Sequence, residues 1–109
     1  MSNHKIQISS NISVEFTSST SLSHSDYTRV GVAALLNYLG STNNVGNVHL
    51  NIAQKIYNVH YRVIVNRIIE RAMLYNDAII FLRSRRGIDL DPQLVDYAVD
   101  RLYELLDRR

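Results

Sequence analysis

Four histidines, at positions 4, 24, 49 and 60, are the first side chains to test for chemistry. None stands three or four residues from another, the spacing a helix-borne metal site needs, and no carboxylates are grouped around them in sequence. The sequence has no cysteine, which removes disulfides, thiolate catalysis and Cys-based zinc sites together. Four scattered glycines form no phosphate-cradling loop. The serines lie in low-complexity context without a base nearby, so no nucleophilic arrangement can be assembled. Asp96 and Asp100 share one helix face and have the chemistry to hold a divalent cation, although two helical carboxylates ordinarily stay in water. The strongest site candidate is the arginine cluster Arg83, Arg85 and Arg86, joined by Arg62. As a functional patch it presents planar forks to nucleic-acid phosphates. As a plain loop it pairs with Asp89, Asp96 or Asp100. These residues predict a non-enzymatic protein with no catalytic residue, no metal and no cofactor.

The elements that carry those residues are expected to be helical. Residues 51–82 contain no Gly and no Pro, and Asn51, Lys55, Asn58, Arg62, Asn66, Glu70 and Asp77 recur at steps of three or four or their sum. That spacing predicts one long central helix with a narrow polar stripe. Its apolar residues cover far more than the arc of about 100° that a helix shows to one core. Part of that surface is therefore expected to meet a second molecule, with Ile56, Val59, Val63, Ile64, Ile68 and Tyr75, and Leu102 of the last helix, at the dimer interface. A first helix is expected over 26–39, with Ser25 as its N-cap and Gly40 at its left-handed end. Gly31 weakens its middle by roughly 1 kcal/mol relative to Ala. Residues 41–47 form a loop by composition, and 48–50 a short extended piece. Asp91 followed by Pro92 is a strong start for a third helix over 92–107, a capping carboxylate followed by a residue with preset φ.

Before these helices, Ile6, Ile8, Ile12, Val14 and Phe16 alternate with polar residues, which suggests strands over 5–9 and 12–17 around a Ser10-Asn11 turn. An isolated hairpin is marginal in water, so this segment needs the helices or a partner to hold it. The organisation expected is a tail or β-hairpin over 1–24 and a helical dimerisation domain over 25–109, an all-α fold apart from the hairpin.

With 109 residues, 46% of them apolar and 20% charged, the chain has the length and balance of one globular domain. The net charge of +2 is unevenly spread. From Arg62 to Arg86 six arginines face two acids, and from Asp89 to Asp107 six acids face one arginine. Opposed blocks of this kind bind nucleic acid, bind a complementary partner, or pair with each other. The first 25 residues lack the apolar core of a signal peptide, and no run of about 18 apolar residues offers a membrane span. A soluble intracellular protein without small-molecule substrate is expected.

The order of short helix, loop, long helix, basic loop and Asp-capped helix resembles the histone fold, as in core histones and the histone-fold subunits of the general transcription factor TFIID. The local likeness is greatest in Ile68-Ile69-Glu70-Arg71-Ala72-Met73-Leu74-Tyr75-Asn76-Asp77-Ala78 and Leu90-Asp91-Pro92-Gln93-Leu94-Val95-Asp96-Tyr97-Ala98-Val99, with Val32 to Gly40 standing for the first helix. It covers about 26–106. Two positions depart from the family pattern: the second loop is long, and Leu94 stands where an acid often clamps a loop arginine. The resemblance implies three helices pairing head to tail with a second copy or a paralogue, contact with DNA, and a nuclear location. The alternative from the residues alone is a small helical effector, of viral type, whose homodimer coats RNA or DNA or blocks a host macromolecule.

Overall fold

The stretch 51–82 is not one helix. Residues 51–52 and 54–57 are helical, but Asn58 then takes φ +50, a left-handed conformation that asparagine tolerates better than most residues with a Cβ. The chain leaves that bend as a strand. Val59, Val63, Ile64 and Val65 are β-branched, stiff at χ1 and suited to a pleated surface. Helix resumes only at Arg71. A computed structural model describes residues 2–41, 51–52 and 54–108, so the loop expected beyond Ser41 and the extended piece over 48–50 lie outside the described residues.

The all-α expectation, and the histone-like order of helices with it, gives way to a mixed α/β fold. Its elements are β1 (Ser2–Gln7), β2 (Ile12–Ser18), α1 (His24–Tyr38), β3 (His60–Val65), α2 (Arg71–Arg85) and α3 (Pro92–Asp107). The N-terminal hairpin is present and does not stand alone. The strands form one antiparallel sheet in the order β1-β2-β3. Ile6 lies opposite Val14 and Val14 opposite Val63, while Lys5, Glu15 and Arg62 form the neighbouring row on the other face. The third strand that an isolated hairpin lacks comes from the segment expected to be the middle of the long helix.

α1 is enclosed on every side through its middle. Thr28 and every residue from Val30 to Leu36 are buried, which a helix achieves only when covered all round. The sheet covers one flank, and Gly31 is what lets Ile6 lie directly against the helix backbone. Leu74, Ala78, Ile79 and Leu82 of α2 and Val95, Ala98, Val99 and Leu102 of α3 join α1 and the sheet in a single core. Residues 2–18 thus share that core with the helices. At one end of the sheet His4 stacks between Phe16 and Tyr27, with ring centroids 5.3 Å from each.

The helix ends show how sequence fixes the joints. Ser23, rather than Ser25, caps α1 by accepting from the Asp26 N–H at 3.2 Å. Gly40 has φ +81 just beyond the C-terminus. The carbonyl of Leu39, which the helix leaves without a partner, accepts from the Tyr75 hydroxyl at 3.1 Å and from Arg71 Nη2 at 3.0 Å. The start of α2 is thereby bolted to the end of α1. α3 begins where expected, with Asp91 accepting from the Gln93 and Leu94 N–H groups.

Candidate functional site

The four arginines expected to face nucleic acid are divided between two places. Arg62 is on β3, where its Nε and Nη2 donate to Glu15 Oε2 at 3.3 and 3.0 Å. Arg83, Arg85 and Arg86 belong to the last turn and C-cap of α2 instead of a free loop. Arg85 forks onto the Asp89 carboxylate, with Nε donating to Oδ1 at 2.8 Å and Nη2 to Oδ2. His24 Nε2 stands 3.4 Å from that same Oδ2. The Arg85 hydrogen bonds hold the Asp89 carboxyl below its ordinary pKa, and the carboxylate in turn raises that of Arg85. Arg86 makes the same fork with Asp96, at 2.9 and 3.0 Å, and lowers that carboxyl too. Arg83 lies over the Tyr103 ring, 5.6 Å from its centroid. Two arginines of the basic block, Arg85 and Arg86, therefore pair with acids of the acidic block at the α2–α3 turn.

The residues expected at a dimer interface are likewise dispersed. Val59, just before β3, Tyr75 of α2 and Leu102 of α3 are buried in the chain's own core. Ile56 and Ile68 are exposed, the first on the helical residues before Asn58 and the second in the turn after β3. Ile56 borders a small groove of about 140 Å³ with Leu22, Asp26, Arg29, Ile52 and Tyr57. Val63 and Ile64 are half-buried on opposite faces of β3.

β3 is the site that reading the stretch as helix concealed. Among the described residues it is an edge strand. Asn66 N–H donates to the Asn11 carbonyl at 2.8 Å, and the register continues Val65–Ile12, Ile64–Ser13, Val63–Val14. Antiparallel pairs alternate between bonded and non-bonded, so residues 60, 62 and 64 direct their backbone groups to β2. Tyr61, Val63 and Val65 direct theirs outward. Among the described residues no hydrogen bond reaches that outer side of their backbone. The side chains at this edge are apolar and partly buried: Tyr61, Val63 and Val65 pack against the core on the α1 side, and Ile64 lies on the other face. The opposite edge differs, since β1 carries exposed Asn3, Lys5 and Gln7, and lysine is a residue that discourages edge pairing. A sequence signal for β3 existed in the polar–apolar alternation of His60, Tyr61, Arg62 and Val63.

The outer face of the sheet forms a shallow basin of about 600 Å³ whose lining includes Asn3, Lys5, Glu15, Thr17, His60 and Arg62. Lys5 lies across from Glu15, which lies across from Arg62. Among the described residues Lys5 has no ion-pair partner, and no group of three or more His, Asp or Glu is placed to hold a metal. No described helix is long and apolar enough to cross a membrane. The chain matches no family model, no curated protein and no solved structure.

Proposed function

We propose that this chain is a non-enzymatic interaction module that pairs with a second copy of itself through the outer edge of β3. The observation that carries the reading is the state of that edge. Three successive outward-facing backbone positions lack partners among the described residues, and the flanking Tyr61, Val63, Ile64 and Val65 are apolar and only partly buried. Natural edge strands are usually blunted by charge, proline or a bulge; here only His60 and Arg62 interrupt the apolar run. One six-residue strand is small beside a standard interface of about 800 Å² per partner, so the dimer is expected in the micromolar range. Val63→Pro tests it. The Val63 N–H points away from β2, so proline there removes no bond of the existing sheet yet blocks a new one. Light scattering coupled to size exclusion is expected to show a concentration-dependent dimer for the parent chain and a folded monomer, by circular dichroism, for the variant. A parent chain that stays monomeric up to millimolar concentration refutes the reading.

The outer basin favours a second reading, contact with single-stranded nucleic acid through Lys5, His60 and Arg62. A two-stranded ribbon is what a DNA major groove admits, and a third strand makes this face too broad, so a single strand laid on the sheet is the form that fits. Binding is expected to be weak and steeply salt-dependent. Lys5→Ala should reduce the slope of log affinity against log salt by about 0.7, in anisotropy measurements with a labelled oligonucleotide. Arg86→Ala should leave the slope unchanged. The reverse pattern would return the contact to the end of α2.

A further inference from the structure

We infer that the self-pairing is an antiparallel β3–β3 contact across a two-fold axis at Val63, which joins two three-stranded sheets into one of six strands. The inference rests on the self-pairing proposed above and fixes its geometry. Only outward-directed residues can exchange backbone hydrogen bonds with a new strand. Tyr61, Val63 and Val65 must therefore meet the same three residues of the second copy. Among two-fold registers of this kind, the one centred on Val63 uses all three positions in each strand: Tyr61 with the second copy's Val65, Val63 with Val63, and Val65 with Tyr61.

Side chains select the same register. With Val63 on the axis, Arg62 falls opposite Ile64 of the second copy and His60 opposite Asn66, so no like charges stand directly opposite; the two Arg62 side chains are diagonal neighbours, each paired with its own Glu15. A register centred on Arg62 sets two guanidiniums face to face, which is unfavourable. On the α1 side the chosen register puts aromatic Tyr61 against β-branched Val65 and Val63 against itself, both favourable cross-strand pairs. An isologous contact of this type is self-complementary and closed, so it ends at two copies. β1, with Asn3, Lys5 and Gln7 exposed, then forms both outer edges of the joined sheet.

Because the chain has no cysteine, a single introduced one reports the register. A bonded antiparallel pair has Cα atoms about 5.5 Å apart, within the range a disulfide spans. Val63→Cys is expected to give a disulfide-linked dimer on mild oxidation. Ile64→Cys alone is expected to stay unlinked, and Ile64→Cys mixed with Arg62→Cys to give the mixed dimer. A charge test needs no oxidation. Ile64→Lys, which sets a cation against Arg62 twice over, should raise the dimer dissociation constant roughly tenfold, whereas Ile64→Glu should lower it. A parent chain that dimerises by light scattering while Val63→Cys stays unlinked and the Lys and Glu variants behave alike overturns the register and leaves self-pairing standing. A monomeric parent chain overturns both.

Discussion

Gly31→Leu is expected to prevent native folding, whereas Gly31→Ala changes stability by only about 1 kcal/mol, with a sign set by Ile6. A Cβ built on Gly31 would lie 2.2 Å from Ile6 Cδ1 and 3.3 Å from Cγ1. The first contact is impossible as it stands, but Cδ1 is the free end of a flexible side chain and can rotate away. Alanine gains roughly 1 kcal/mol of helix propensity over glycine, and displacing a packed core methyl costs about 1–3 kcal/mol. The two nearly offset. Leucine adds three more carbons to a space that Ile6 fills, on a helix with no open side toward which they can turn. Ile6→Val alone should cost about 1 kcal/mol and removes Cδ1. In that background Gly31→Ala should stabilise by up to about 1 kcal/mol. Urea denaturation of the four chains of this cycle measures the coupling, and strict additivity would show that Ile6 does not press on α1 at Gly31.

Asp89→Asn is expected to lower stability by roughly 2 kcal/mol at neutral pH, while Asp96→Asn produces no measurable change. Both carboxylates take a two-pronged Arg fork, so the difference lies in burial. The Asp89 side chain is 7% exposed, that of Asp96 59%. Breaking a buried pair by removing one partner costs about 3–5 kcal/mol. That figure is reduced here because the Arg85 side chain is 33% exposed and recovers some hydration. The pH dependence has a definite sign. Arg85 depresses the folded-state pKa of Asp89, so this contribution is fully present above the ordinary aspartate range and is lost as pH falls through the lowered value. Asp89→Asn should therefore flatten the acid limb of the stability profile. An Asp89→Asn chain that loses stability in acid as steeply as the parent would assign that limb to other carboxylates.

The parts of the fold legible in the sequence are those fixed by local chemistry. Asp91 and Pro92 announced α3 because a side-chain cap and a preset φ act within three residues. Gly40 marked the end of α1 because only glycine enters that conformation freely, and the N-terminal alternation gave the hairpin. The central stretch misled because its polar spacing suits a helix while its β-branched content suits a strand. Asn58, the residue that decides between them, is no obligate breaker. The enclosure of α1 is not legible from its own pattern: Gly31, Ala33 and Ala34 are small, and small residues are what let other layers close in from every side. At the sites, the arginine cluster was visible but not its use, since Arg86 finds Asp96 ten residues away through the α2–α3 turn. The row of Lys5, Glu15 and Arg62 depends on a strand register linking positions 47 residues apart, which periodicity does not report.

The enclosure of α1 has a consequence for how the chain comes apart. The sheet and the α2–α3 hairpin both rest on the same rod, so peeling either away strips a flank that water cannot wet without the other layer also losing its footing. Neither half retains a finished interior by itself. Loss of structure is therefore all-or-none, and the backbone amides in the middle of that rod should exchange with solvent only when the whole molecule opens, more slowly than those near the ends of α3.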